Sequence, residues 1–335
     1  MSPKKNSVPT EKWSFSVDMG GTFTDIIGVA PDGQLRVQKI LSKSGEYKDA
    51  TLAGIRKILE EFGKGCPLNE KYVSRIRIGT TLATNALLER RGSPVALFVN
   101  IGFKDLLEIG YQARPEIFKL VIKKPELLYS TVKTVVGRIN AEGKILKALD
   151  EEKVRLDFEE IYSDGIRSIA VVLMHSWKNP DHELRVAQIA RETGFDHVSV
   201  SHQVLPLIRI VSRGQTTLID AYLATIFNRY RERILSETGN IDLEFMKSSG
   251  GLTPAKTVLA KDTILSGPAG GVIGTAHISG KADVQEAIGF DMGGTSTDVS
   301  RFGGEFHRVY EVTTGGIQYQ SDQLDVETVA AGGGS

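Results

Sequence analysis

One cysteine, Cys66, stands in 335 residues, so no internal disulfide can form and no cysteine-rich metal site can be built. It lies in Gly65-Cys66-Pro67 with no activating base or cation in view and reads as an incidental loop thiol rather than a nucleophile. Charge surplus is missing too: 41 basic residues balance 41 acidic ones, and no basic block interrupts the chain. Nucleic acid and anionic membranes both select for excess positive charge, so neither is expected as a partner. No apolar run approaches the roughly 20 residues that span a bilayer. The polar start, Met1 to Ser7, lacks the apolar core of a secretory signal, and a cytoplasmic location is the expectation. Two common phosphate-binding signatures are absent as well. Gly-x-x-x-x-Gly-Lys-Ser/Thr does not occur, and no Gly-x-Gly-x-x-Gly opens a helix after a strand.

What is present is a globular balance, 41% hydrophobic and 24% charged, in a chain long enough for two domains with cores of their own. Glycine is the outlier at 35 residues, about one in ten where roughly 7% is usual. The glycines cluster, and one cluster occurs twice. Asp18-Met19-Gly20-Gly21-Thr22-Phe23-Thr24-Asp25 near the start matches Asp291-Met292-Gly293-Gly294-Thr295-Ser296-Thr297-Asp298 near the end at every position but Phe23 and Ser296. Apolar runs precede both, Trp13 to Val17 and Ala287 to Phe290. Further apolar runs follow at Ile26 to Ala30 and Val299 to Phe302. A turn at Asp32-Gly33 or Gly303-Gly304 then leads into a third run, Leu35 to Ile40 or Phe306 to Val312. Each copy therefore predicts strand, glycine turn, strand, tight turn, strand, and two copies predict a duplicated domain with a cleft between.

A glycine pair lets the backbone turn sharply, through positive φ, and approach a ligand closely. Amides at such a turn form a concave anion site suited to phosphate oxygens. The candidate phosphate contacts are Gly20, Gly21, Thr22 and Thr24 in the first copy, and Gly293, Gly294, Thr295 and Thr297 in the second. Asp18 and Asp291, each at a strand's end, are placed to hold a hydrated Mg²⁺, which takes oxygen ligands and keeps several waters. With Thr22 and Thr295 they form the candidate catalytic set. Asp25 and Asp298 either orient a turn or water, or serve as turn acceptors. Two ordinary hairpins are the bland alternative; near-identical recurrence after a strand favours phosphate.

Between the copies, strands alternate with helices, which indicates an α/β architecture with mixed sheets. Thr51 is expected to cap a helix through Phe62, and Gly79-Thr80-Thr81 to open another, with Thr80 and Thr81 able to touch phosphate or substrate. Arg114 is the obvious cation for an anionic substrate, although by pattern alone an arginine before a proline is more often a surface residue. The longest helix is expected from Thr216 to about Ser236. Ser266 is expected to cap a helix beginning Gly267-Pro268-Ala269-Gly270-Gly271, where Gly267 and Gly270 are either a second anion contact near the ligand, the favoured reading, or a close helix–strand packing point.

Asp-x-Gly-Gly-Thr after a first strand, repeated a domain later, resembles the two phosphate loops of the actin, heat-shock ATPase and sugar-kinase superfamily. The resemblance implies duplicated actin-like (ribonuclease H-like) ATPase domains, a βββαβαβα unit in each, and ATP with Mg²⁺ between them. It narrows further. Arg77 to Arg90, Gly102 to Pro115, Lys124 to Tyr129, Leu265 to Gly271 and Thr328 to Ser335 are similar to the hydantoinase A and oxoprolinase family, in that family's order. Ile109 to Tyr129 and Gln323 to Ser335 resemble its eukaryotic-type 5-oxoprolinases most. At Met19 those enzymes commonly carry arginine and hydantoinases an aliphatic residue.

The resemblance implies a hydantoinase/oxoprolinase amino-terminal domain over 13–200 and the incomplete start of a second actin-like domain over 201–335. It also implies ATP-driven opening of a lactam such as 5-oxoproline, a B-type half that completes the chemistry, and a homo- or hetero-oligomer. A hydantoinase, an ATP-dependent ketone carboxylase subunit and a non-catalytic paralogue that only binds nucleotide or partner are the alternatives.

Overall fold

The computed structural model describes residues 11–112, 117–121, 124, 126–293, 297–329 and 331–333. The first motif opens an antiparallel meander, β1 (Trp13–Met19), β2 (Phe23–Val29) and β3 (Leu35–Leu41). Helix α1 (Ala50–Phe62) follows, with Leu52, Ile55, Ile58 and Leu59 at helical spacing on its buried side. Strand β4 (Val73–Thr80) runs into α2 (Leu82–Leu88), and β5 (Val95–Asn100) into the single turn α3 (Leu106–Ile109). Next come β6 (Thr131–Val135), the small hairpin β7 (Arg138–Ile139) and β8 (Ile145–Lys147), and α4 (Glu151–Ser163). Then β9 (Ser168–Val172), α5 (Asp181–Thr193), β10 (His197–Val200) and α6 (Ser201–Val204) lead to the 29-residue α7 (Ile210–Thr238). Strands β11 (Asp242–Met246) and β12 (Leu252–Pro254) precede α8 (Ser266–Lys281). The second motif joins β13 (Ala287–Met292) to β14 (Thr297–Phe302), followed by β15 (Arg308–Thr314), β16 (Ile317–Leu324) and β17 (Glu327–Val329).

Two large sheets share α7. The first is mixed, ordered β12-β11-β4-β1-β2-β3; the second is wholly parallel, ordered β10-β9-β5-β6. Parallel strands buried on both faces read as unbroken apolar runs, and β5 and β9 are buried throughout. Leu97 and Val172 face the core around α7, while Phe98 and Val171 face the core under α4 and α5. With neighbours on every side, the first half of α7 has no polar face. Its buried hydroxyls, Thr216 and Thr217, donate back to the carbonyls of Ser212 and Arg213 instead.

Residues 242–254 complete the first sheet. Three expectations are corrected. The third strand of the second copy forms but leaves its sheet: β15 pairs with β16 as a separate hairpin, and β17 takes the place beside β14. Asp49, whose carboxylate accepts from Leu52 N at 3.0 Å, caps α1 rather than Thr51, which is buried against Tyr230. Leu265, at φ 60°, precedes α8, and the Ser266 hydroxyl is directed across to β4.

Candidate active site

Strands β1 and β4 run parallel with Asp18 opposite Gly79 and Met19 opposite Thr80. The first glycine turn and the Gly79-Thr80-Thr81 helix start therefore leave the same sheet edge side by side, at the carboxyl ends of parallel strands, where open α/β sheets bind ligands. Gly20 N donates to Phe23 O at 3.0 Å and closes the turn. Neither Gly20 nor Gly21 has positive φ, so the expected reason for the glycines is corrected. The requirement is space: a Cβ on Gly20 would lie 3.0 Å from Phe23 O, and one on Gly21 3.4 Å from Asn85 Nδ2.

Asp18 stands where both halves converge. Gly79 and Gly267 border this carboxylate: a Cβ on either would sit in ordinary contact with its Oδ1, at 3.6 or 3.7 Å. Its pKa is raised by partial desolvation, then by the charges of Asp25 and Asp291, against a lowering by Lys39. Asp291, of the second copy, is thus within electrostatic reach of Asp18, of the first. In the second copy the Asp298 pKa is also raised, first by desolvation, with Asp291 contributing, while Thr328 lowers it.

Mg²⁺ commonly binds through one or two carboxylates plus waters and substrate phosphates, so a pair of carboxylates whose negative charges act on one another fits it. Among the described residues no cluster of three or more histidine, cysteine or acidic side chains offers an all-protein metal cage. Cys66 is only partly buried, and burial raises its pKa, the opposite of an activated thiol.

The remaining candidates divide. Thr22 is exposed on the first turn, and its carbonyl accepts from Ser42 N at 2.8 Å. Gly293 is exposed on the second turn, and Gly333 N donates to its carbonyl at 3.0 Å. Gly267 touches the Asp18 region, and Gly270 borders open space. Thr81 donates to Met19 O at 3.3 Å and stays at the cavity wall. Three of the expected contact residues are buried. Thr24 is fully buried with its hydroxyl 3.0 Å from Ser42 Oγ, and Thr297 donates to Ala331 O at 2.5 Å. Thr80 is buried and its hydroxyl accepts from Leu82 N at 3.1 Å. These hydroxyls brace the turns. Gly294, Thr295 and Arg114 lie outside the described residues.

A cavity of about 290 Å³ beside the first turn is lined by Gly20, Gly21, Ser42, Lys43, Thr81 and Asn85, among others. Ser42 donates to Gly20 O at 2.6 Å, and Asn85 Nδ2 to Thr81 Oγ1 at 3.1 Å. Ser42, Lys43, Asn85 and the Ser266 hydroxyl were not foreseen from sequence. Asn85 alone carried a signal, since it sits one helical turn after Thr81.

Comparison with known proteins follows this geometry. A model described as the hydantoinase/oxoprolinase N-terminal region matches residues 14–194, and one described as hydantoinase/oxoprolinase matches 213–335. 5-Oxoprolinase 1 of Arabidopsis thaliana is 43% identical over 97% of this chain and 28% of its own length. The 5-oxoprolinase of Dictyostelium discoideum is 42% identical over 96% of this chain and 29% of its own. Among solved structures, ATP-dependent caprolactamase from Pseudomonas jessenii superposes with a TM-score of 0.79 at 28% identity, covering 96% of this chain and 48% of that one. A nucleotide-free acetone carboxylase, at 24% identity and a TM-score of 0.80 over 95% of this chain and 48% of that one, shares the fold. The chain thus spans under a third of the length of these curated relatives. Among the described residues, no helix is long and apolar enough to cross a membrane.

Proposed function

The chain belongs to the hydantoinase/oxoprolinase family, and from that membership we propose that it is the nucleotide-handling part of an ATP-dependent cyclic amidase whose substrate is 5-oxoproline. The overall reaction is 5-oxo-L-proline, ATP and water giving L-glutamate, ADP and phosphate. What supports this reading is the repeated Asp-Met-Gly-Gly-Thr turn at a strand's end, with Asp18 of the first copy bordered by Gly79 and Gly267 and within electrostatic reach of Asp291 of the second.

A lactam amide is resonance-stabilised and a poor electrophile. Transfer of a phosphoryl group from Mg²⁺-bound ATP to the lactam oxygen supplies the leaving group that lets water open the ring. The chain's own task is positioning and charge neutralisation, which dominate phosphoryl transfer. Gly21 and Gly293 present backbone amides without a Cβ in the way, Gly20 closes the first turn through its own N–H and leaves its Cα face open to phosphate, and Thr22 adds a hydroxyl. Asp18 and Asp291 hold the cation. Thr24, Ser42 and Thr297 fix the turns so that the amides are pre-aimed. Gly294 and Thr295 belong to the same proposed set by their place in the repeat, and Arg114 and Thr81 are the proposed substrate contacts. A B-type half of the family, fused or separate, is the proposed partner for ring opening.

The test is ATP consumption by the chain together with the remainder of a 5-oxoprolinase-type polypeptide, with 5-oxoproline, hydantoin and acetone plus bicarbonate tried in parallel. Consumption that depends on 5-oxoproline and yields glutamate is expected. Consumption with acetone and bicarbonate alone would assign the chain to a carboxylase instead.

A further inference from the structure

The cavity beside the first glycine turn has an apolar side as well as a polar one: Met19, Leu82 and Ala86 line it together with Ile226 of α7. It also adjoins the carboxylate of Asp18. A Cβ on Gly267 would lie 3.7 Å both from Asp18 Oδ1 and from Thr81 Cγ2, so the cavity wall and the carboxylate meet at one glycine. A small ring with one polar edge suits such a space. The hydrogen bonds of the wall decide what that edge must offer.

Thr81 has a single hydroxyl proton, and it goes to Met19 O at 3.3 Å. The 3.1 Å contact between Asn85 and Thr81 Oγ1 must therefore be donated by the amide. That settles which way the amide is turned, with Nδ2 toward Thr81 and Oδ1 away from it. The backbone beneath is held too, Asn85 N donating to Thr81 O at 2.8 Å. Among the described residues no group donates to Asn85 Oδ1, and this oxygen is not sealed off from solvent.

The other polar side chains of the cavity are more fully committed. Ser42 gives its proton to Gly20 O, and Arg91 pairs with Glu89 at 3.0 Å. Asn85 Oδ1 is thus a neutral, oriented acceptor in the wall with room for a ligand's N–H. It stands one helical turn from Thr81, and its Nδ2 lies against Gly21 of the phosphate turn.

We propose that Asn85 reads the N–H of the lactam in this cavity, a role that rests on the reaction proposed above. The ring methylenes lie against Met19, Leu82, Ala86 and Ile226, and the N–H donates to Asn85 Oδ1. During transfer a lone pair of the lactam oxygen closes the new O–P bond. The bond from the γ-phosphorus to the β–γ bridging oxygen breaks, and its electrons leave with ADP. The ring C–N bond gains double-bond character, and positive charge grows on the N–H, whose proton stays on nitrogen. The hydrogen bond to Oδ1 is therefore stronger in the transition state than in the ground state, which is the condition for it to accelerate the step. A ketone has no N–H to offer, so the same acceptor selects lactams.

The chain joined to the remainder of a 5-oxoprolinase-type polypeptide is assayed for ATP consumption with 5-oxoproline and with N-methyl-5-oxoproline, which keeps the ring and carboxylate but has no N–H. The parent is expected to favour 5-oxoproline at least roughly tenfold in kcat/KM. Asn85→Ala, at a half-buried helical position that alanine suits, is expected to lower kcat/KM for 5-oxoproline roughly ten- to a hundredfold. Its loss with the N-methyl compound is expected to be far smaller, so the preference narrows. Equal losses on both compounds would make Asn85 a brace for the first turn and overturn the proposal. An unchanged rate with 5-oxoproline in Asn85→Ala would overturn it as well, with the reaction itself left standing. Absence of 5-oxoproline-dependent consumption in the parent would remove the reaction, and this role with it.

Discussion

Asp18 concentrates the conflict between stability and use. Its pKa is raised by desolvation and by Asp25 and Asp291, so the folded chain resists the ionised form that a cation requires. With the folded value above the unfolded one, the site's contribution to stability is fully present below the ordinary carboxylate range and is lost as pH rises through the raised value. Asp18→Asn escapes that loss. The melting temperature of the Asn variant is expected to exceed that of the parent at pH 7, with the gap closing near pH 3, while ATP turnover falls by about a hundredfold or more. Equal melting curves at pH 7 would mean that Asp18 is not under this electrostatic load. Ser266 behaves differently. Its buried hydroxyl donates to Thr80 O at 2.9 Å and accepts from Thr80 N at 3.3 Å, so Ser266→Ala leaves both groups short of a partner. That costs about 1–3 kcal/mol, measurable by urea unfolding, and it frees Gly267 from its place beside Asp18. A raised KM for ATP at unchanged lactam KM is the expected kinetic signature.

Helices and strands were legible where one period governs both sequence and burial. The parallel strands announce themselves as apolar runs, and α1, α4 and α5 as amphipathic stretches ended by Gly63, Asp164 and Gly194. The motif itself was legible by repetition. What sequence hid were the contacts of residues far apart in the chain: Thr24 with Ser42, Thr80 with Ser266, and the recruitment of β11 and β12 into the first sheet. The fate of the third strand in the second copy was hidden for the same reason, since β15 reads alike locally whether it pairs with β14 or with β16.

Equivalent strands also meet different surroundings. Val17 is 4% exposed beside α1, whereas Phe290, at the same place in the repeat, is 65% exposed. Val17→Ser is therefore expected to destabilise the chain by about 1.5–3 kcal/mol through lost apolar burial and an added hydroxyl. Phe290→Ser should stay within about 0.5 kcal/mol in the same unfolding assay. Equal losses would mean that β13 is covered in solution as β1 is.

At the scale of the whole molecule, α8 is the strut between the two copies. Its first residue is bonded to the end of β4, and further along a Cβ on Gly289 of β13 would meet its Thr275 Oγ1 at 2.5 Å. The strut thus touches both copies, and the negative charges of Asp18 and Asp291 oppose one another. Without a counter-charge the electrostatic term favours separation; a divalent cation between them reverses its sign. Nucleotide with Mg²⁺ should therefore act on both turns at once, and neither component alone should do so fully. Hydrogen exchange is expected to slow together in peptides covering Asp18 to Thr22 and Asp291 to Gly293 when ATP and Mg²⁺ are both added, and to slow little with ATP in chelator. Asp18→Asn should abolish protection at the second turn as well as the first, although it alters only one of them. Protection confined to one turn, or retained at Asp291 to Gly293 in Asp18→Asn, would mean that the two motifs do not grip a common ligand, and the assignment of the chain to nucleotide handling would lose its physical basis.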